Sequence, residues 1–361
     1  LPPATDEDLF NPKPRRCECR SSDASGETTS QNRWSAMTLH SGICVIIPAW
    51  NAEATIVRAV TSALAQPQVA EVLVVDDAST DGTAQSATDA DDGSGRLRVL
   101  CQPRNIGPAA ARNVAIDAST APLLAILDSD DFLLPGRFAP LLATPGWDAI
   151  ADNLAFVPED QVAALAPATL DHGTASPRRL SLAEFVLGNI SVAGQPRAEL
   201  GFVKPVIRRS FLAAHGLRYD ESLRLGEDYA LYARILARGG AFLTVARCGY
   251  VAVERASSLS GCHRGVDLAN LAASDLALLG EDGLDDSARR AIRRHRDQTA
   301  AKARHRRFLD MRRAQGLPAA LAQALLRPHQ VPPLAFAIAR DKWRDRHPGA
   351  PKPAQVRYLF A

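Results

Sequence analysis

Cysteine is scarce. The chain of 361 residues holds six, Cys17, Cys19, Cys44, Cys101, Cys248 and Cys262, and no two are spaced as CxxC. That excludes a disulfide framework and a structural zinc site, and free thiols are expected. Long hydrophobic runs are missing too. No stretch approaches the roughly 20 apolar residues that span a bilayer, and no basic segment followed by an apolar core opens the chain as a secretory signal would. A cytoplasmic location is therefore expected. Charge of one sign is also lacking: 42 basic against 40 acidic residues leave a formal +2, which excludes a protein governed by bulk electrostatics.

Residues 1–36 have almost no apolar periodicity. They are rich in Pro, Ser, Thr and charge, can bury little surface, and are expected to stay disordered. Met37 stands just before the first convincing strand, so the working protein is expected to begin near it. The organisation read along the chain is an N-terminal extension over 1–40, an α/β domain over 41–265 and a basic helical region over 266–361.

What is present from Gly42 onward is an alternation of short apolar runs with helix-period segments. Ile43 to Ile47 reads as a buried strand stopped by Pro48, and Ile56, Val57, Val60, Ala63 and Leu64 recur at helical spacing before Pro67. Val72 to Val75 is a second strand ending in Asp76 and Asp77. A third runs over Leu97 to Cys101, a helix follows from about Pro108 to Ala118, and a strand at Leu123 to Leu127 ends in Asp128, Ser129, Asp130 and Asp131. This βαβ alternation predicts a parallel sheet with helices on both faces. A further helix is predicted from Glu227, with Tyr229, Leu231, Tyr232, Ile235 and Leu236 as its apolar side.

Ligands of open α/β sheets bind beyond the carboxyl ends of the strands. Two strands read as neighbours place acidic clusters there, and crowded carboxylates repel one another unless a divalent cation or a hydrogen-bond donor sits among them. Asp81 is expected only to cap the next helix, whereas Asp77 is expected to meet a ligand. The Asp128 and Asp130 pair, directly after a buried strand, suits one contact to a sugar hydroxyl and one to a hard cation.

The segments IIPAWNAEATI, VVDDASTDGT, PRNIGPAAARNVAI, LAILDSDD and GEDYALYARI occur in the order and approximate spacing of the family 2 glycosyltransferases. The resemblance covers about Gly42 to Cys262. It implies a GT-A fold, Rossmann-like and with a mixed sheet, followed here by a C-terminal helical region. It also implies inverting transfer from a nucleotide-sugar donor, most often a UDP sugar, with Mn²⁺ or Mg²⁺. Pro48, Ala49 and Trp50 would then end the first strand beside the nucleobase, with Trp where the family more often has Tyr. Asp77 would hydrogen-bond the uracil ring with Asp76 next to it, and Arg112 would stand near the nucleotide, where Gly107 lets the backbone come close. Asp128 would contact the ribose beside Ser129, and Asp130 would bind the metal, Asp131 leaving the register open by one position. Asp228 resembles the base that deprotonates the acceptor, with Glu227 as second choice. The residues by themselves leave helix capping level with catalysis for this pair.

Processive relatives carry QxxRW and membrane helices, both missing here, which implies addition of one sugar. In that place stand Tyr250, Ser258, Leu259, Ser260, His263 and Arg264, a stretch able to close over a diphosphate, although an ordinary surface role suits His263 equally well. The segment from Asn189 to Arg209 is expected to shape the acceptor pocket, Lys204 and Arg208 to be ordinary surface charge, and Asp152 and Asn153 to face the acceptor. Eleven Lys or Arg stand against Asp297 and Asp310 between Arg289 and Arg313. This block has three readings: a solvated face, nucleic-acid binding, or peripheral contact with an anionic membrane. Nucleic acid is not expected, because no aromatic platform accompanies the charge.

Among better-known relatives the chain resembles the exopolysaccharide glucosyltransferases of succinoglycan assembly. That implies a UDP-glucose-type donor and a glycan acceptor linked to polyprenyl diphosphate at the inner face of the plasma membrane. Nucleotidyl transfer is disfavoured, since PAWNAE stands where its glycines belong. The alternative from another class is a non-catalytic nucleotide-sugar or glycan-binding assembly partner.

Overall fold

The computed structural model describes residues 42–166, 170, 173, 176–191, 199–255, 264–326, 331, 335, 338–339 and 356–360. Cys17, Cys19, Met37, Ser258, Leu259, Ser260, Cys262 and His263, together with 192–198 of the expected acceptor segment, lie outside them. The chain divides into two compact units, Leu1–Ala139 and Pro140–Ala361.

In the first unit the strands are β1 (Ile43–Ala49), β2 (Val69–Asp76), β3 (Leu97–Cys101) and β4 (Leu123–Ile126), in the order β3-β2-β1-β4 and all parallel. Ile43, Val45, Ile46 and Ile47 of β1 are fully buried, and so are Val72 to Val75 of β2. That is the pattern of central parallel strands covered on both faces, and it explains why these runs do not alternate with polar residues. The crossovers are helices α1 (Glu53–Leu64), α2 (Thr83–Asp89) and α3 (Pro108–Ala118). Helix α3 begins with Pro108 after Gly107, whose φ of 90° and ψ of 162° suit only glycine. The two strands with acidic ends, read as neighbours from the sequence, are separated by β1.

The second unit has a mixed sheet. Its long strands β5 (Ala149–Pro158) and β8 (Phe242–Glu254) run parallel, and β7 (Val206–Arg208) is antiparallel to β5. The short β6 (Arg178–Arg179) pairs antiparallel with β8, and β9 (Arg357–Tyr358) with β5. Around them lie α4 (Leu182–Gly188), α5 (Arg209–Ala214), α6 (Glu227–Ala237), α7 (Gly265–Leu278) and α8 (Asp286–Leu325). Gly265 lies so near the backbone of α8 that a Cβ there would stand 3.0 Å from the Arg307 nitrogen, which sets the close approach of α7 to α8. Among the described residues Cys44 and Cys248 are buried and Cys101 is half-buried, and no helix is long and apolar enough to cross a membrane.

Candidate active site

In the first unit the register brings the strand ends to one edge. Ala49 is paired with Asp76, Asp76 with Cys101, and Ile46 with Ile126. The residues that follow β1, β2 and β4 therefore emerge side by side. Asp76 and Asp77 are both buried. Asp77 Oδ1 accepts from the Ile106 amide at 2.6 Å and Oδ2 from the Gly107 amide at 2.8 Å, so this carboxylate holds the turn that starts α3. Asp76 Oδ1 is buried with no hydrogen-bond partner among the described residues. A buried acceptor without a donor is costly, and one at the carboxyl end of a parallel strand is suited to take an N–H from a ligand.

The loops after β1 and β2 are laced together. Asn51 Oδ1 accepts from the Thr80 amide at 2.9 Å, and the Asn51 amide donates to Ser79 Oγ at 2.9 Å. Asn51 and Ala78 both take positive φ, 48° and 58°, so the backbone holds strain where the two loops turn. Asp81 accepts from the Thr83 amide at 3.1 Å and the Glu53 amide at 3.3 Å. Its burial acts to raise its pKa, but the Thr83 and Glu53 hydrogen bonds outweigh that and hold it below the usual carboxylate range. Asp81 is structural, but it holds the turn from one residue before the N-cap Gly82 instead of capping α2 as expected, and that helix has no side-chain cap.

Pro48 is half-buried and Ala49 buried, while the Trp50 ring is 50% exposed at the end of β1, a flat apolar face available to a planar ligand. Arg112 is buried on α3, with Nη2 3.0 Å from Asp128 Oδ1. Asp128, Ser129 and Asp130 are half-buried in the turn after β4, and Asp131 is buried, its amide donating to the Asp128 carbonyl at 3.0 Å. Arg58, which sequence reasoning passed over, donates from Nη2 to the Asp130 carbonyl at 2.7 Å while its guanidinium lies 5.2 Å from the Phe132 ring centre. It pins the acidic turn to α1. No group of three or more potential ligands is gathered among the described residues. The donors here are carboxylate oxygens, one or two at a time, which fits a hard cation that takes its remaining ligands from a diphosphate.

In the second unit the helix predicted from Glu227 is α6. Its N-cap is Gly226, at φ 74°, and a Cβ there would meet Leu271 of α7 at 2.8 Å. Glu227 is half-buried and Asp228 buried. Asp228 Oδ2 accepts from Lys204 Nζ at 2.8 Å. Lys204 is 5% exposed, which corrects the expectation of surface charge. A sequence signal existed: Lys204 is set among Val203, Pro205 and Val206, and a lysine inside an apolar run needs a partner. Arg208 is exposed as expected, and lies over the Trp147 ring at 4.3 Å. Asp152 and Asn153 are buried in β5, and Asn153 binds the backbone of Phe360 through both its amide atoms, at 3.0 and 2.8 Å. Asn153 thus anchors a C-terminal segment.

The residue after Asp228 begins a buried network. Tyr229 donates its hydroxyl to Asp275 Oδ1 at 2.8 Å, and Asp275 Oδ2 lies 2.7 Å from His295 Nδ1. Burial, with the Asp275 carboxylate beside it, pushes the Tyr229 hydroxyl well above the usual phenol range. The three residues tie α6, α7 and α8 together. Nothing in the sequence announces this link, because its members lie up to 66 positions apart and each reads as an ordinary helical residue.

With this geometry established, comparison with known proteins adds the following. The sequence profile described as Glycosyl transferase family 2 matches residues 44–150. Succinoglycan biosynthesis protein ExoU of Rhizobium meliloti (strain 1021) is 49% identical over 325 residues, 88% of this chain and 95% of the relative. UDP-Glc:alpha-D-GlcNAc-diphosphoundecaprenol beta-1,3-glucosyltransferase WfgD of Escherichia coli is 34% identical over 96 residues, 26% of this chain and 37% of the relative. Among solved structures, S. aureus TarS 1-349 in complex with UDP-GlcNAc superposes with a TM-score of 0.53 at 18% identity, covering 87% of this chain and 95% of that one. The fold is accordingly GT-A.

Proposed function

The chain belongs to glycosyltransferase family 2, and on that basis we propose that it moves glucose, or a related hexose, from a UDP sugar to a glycan carried on polyprenyl diphosphate. The setting proposed is assembly of a succinoglycan-type exopolysaccharide at the inner face of the plasma membrane. The chain is an inverting glycosyltransferase, as the family is. The name of the 49% identical relative supports the polysaccharide, that of WfgD supports glucose and the lipid-linked acceptor, and the UDP-GlcNAc bound to TarS supports a UDP sugar.

The observation that carries the chemistry is Asp228, a buried carboxylate in the first turn of a helix with an ammonium 2.8 Å away. In an inverting single displacement the acceptor hydroxyl oxygen bonds to the anomeric carbon as the bond from that carbon to the diphosphate oxygen breaks. Asp228 takes the hydroxyl proton in that step, and Lys204, bound to Oδ2, orients the carboxylate. Glu227 remains the second choice of base.

In the donor site the Trp50 ring, next in sequence to Pro48 and Ala49, meets the base, and Asp76 Oδ1, which has no partner among the described residues, accepts the ring N–H. Asp77 then acts through the loop of Ile106 and Gly107. Asp128, oriented by Arg112, receives the ribose hydroxyls next to Ser129. Asp130, with Asp131 beside it, would hold Mn²⁺ or Mg²⁺ together with the diphosphate, and the ion when bound offsets charge on the leaving group.

The test is UDP release from a panel of UDP sugars with a lipid-linked acceptor, with and without Mn²⁺ or Mg²⁺. The natural chain is expected to release UDP with metal. Asp228→Asn is expected to lose at least about a hundredfold in turnover while keeping its UDP affinity, and Asp130→Ala to lose metal-dependent release. Tight UDP binding with no release from any donor would favour the non-catalytic binding partner instead.

A further inference from the structure

We propose that the C-terminal end of α8 is an interfacial segment that seats the protein on an anionic lipid surface. The upstream part of α8 is built as a globular helix should be, with Ile292, His295, Thr299, Ala303 and Phe308 buried. At Gly316 the helix is interrupted by φ 85° and ψ 170°. Beyond that break the pattern inverts. Ala320 is 1% exposed and faces the protein, whereas Leu317, Leu321 and Leu325 are 50%, 46% and 64% exposed. These leucines recur every four residues and so share one face, and Leu326 beside them is 80% exposed.

A helix that turns its small residue inward and its leucines outward has an apolar face that the rest of the described residues leave exposed. The surrounding charge selects the occupant. Arg307, Arg312 and Arg313, just upstream, are exposed. From residue 311 to 326 the chain contains Arg312 and Arg313 and no Asp or Glu. Leucines on one face with an acid-free cationic flank are what an anionic leaflet binds, the arginines drawing the helix to the headgroups and the leucines entering the acyl boundary. Neither element alone holds a protein there, and here the arginines stand just before the Gly316 break and the leucines just after it. The inference rests on exposure and charge, and does not depend on the transferase reading.

The experiment is co-sedimentation of the full chain with vesicles of equimolar phosphatidylglycerol and phosphatidylcholine, against phosphatidylcholine alone, at low and high salt. Binding is expected to the anionic vesicles, to weaken with salt, and to fall at least about tenfold in the Leu321→Glu/Leu325→Glu variant. Both positions are exposed, so an unchanged thermal midpoint will show that the variant folds. UDP release with a water-soluble acceptor analogue should be unaltered in that variant, which separates failure of this inference from failure of the transferase reading. Three results would overturn it: no binding to anionic vesicles at low salt, binding that the leucine variant leaves intact, or a dimer that the variant dissociates without any vesicle binding, which would give the face to a second copy of the chain.

Discussion

Lys204 Nζ stands 2.8 Å from Asp228 Oδ2, and neither side chain is more than slightly exposed. The pair joins the segment before β7 to the first turn of α6. Removing only the cation leaves a carboxylate buried beside an apolar run. Lys204→Met is therefore expected to cost about 3–5 kcal/mol of stability, read from the urea midpoint, and the double variant Lys204→Met/Asp228→Asn to recover part of that loss. A midpoint unchanged in Lys204→Met would show that the pair does not form in solution.

Asp77 and Gly107 make a second test. The Asp77 carboxylate takes two backbone amides at 2.6 and 2.8 Å, and Gly107 adopts a backbone conformation closed to side chains. Gly107→Ala should destabilise the chain by about 1–3 kcal/mol. Asp77→Ala frees the loop from β2, and titration calorimetry is expected to show UDP affinity reduced by about tenfold or more, equivalent to the loss of one charge-assisted hydrogen bond. Equal affinity in Asp77→Ala would remove the loop from the nucleotide site.

The Tyr229, Asp275 and His295 network predicts a large effect on stability. Asp275 is fully buried and each of its oxygens is engaged, at 2.8 and 2.7 Å. Asp275→Ala leaves a hydroxyl and an imidazole nitrogen without their acceptor, at a cost of about 3–5 kcal/mol. Asp275→Asn, which keeps the shape, should cost less. Thermal unfolding of the two variants checks the order, and the reverse order would show that the carboxylate is not what joins the three helices.

Acid stability follows from Ser181 and Glu184. Ser181 caps α4, and its backbone amide and hydroxyl donate to Glu184 Oε2 at 3.0 and 2.8 Å. Those bonds, the backbone one first, hold Glu184 below its usual value of 4.5. Because the folded pKa is the lower one, the stabilisation is present above about 4.5 and is lost as pH falls through the folded value. Ser181→Ala should cost about 1 kcal/mol near neutral pH and flatten the decline in stability below pH 4.5. A decline of unchanged slope would assign it to other carboxylates.

Strands and helices of the first unit were legible in the sequence because their signals are local. A buried parallel strand is a continuous apolar run, and Ile43 to Ile47, Val72 to Val75 and Leu123 to Leu127 read as such within a few residues of β1, β2 and β4. Strand order was less accessible: the acidic ends of β2 and β4 read as neighbours, yet β1 pairs between them, and pairing partners leave no mark in a single sequence. The motifs located Asp76, Asp77, Arg112, Asp128, Asp130 and Asp228 as candidates. Only the tertiary structure decided what each carboxylate touches. It gave Asp77 to the amides of Ile106 and Gly107 and left an oxygen of Asp76 without a partner among the described residues. It turned Lys204 from assumed surface charge into the partner of Asp228, and it joined Tyr229 to Asp275 and His295. The physical reason is range. Periodicity and turn chemistry are set by residues a few positions apart, whereas burying a charge requires a counter-charge that the chain can supply from any distance, and only the folded backbone selects which one arrives.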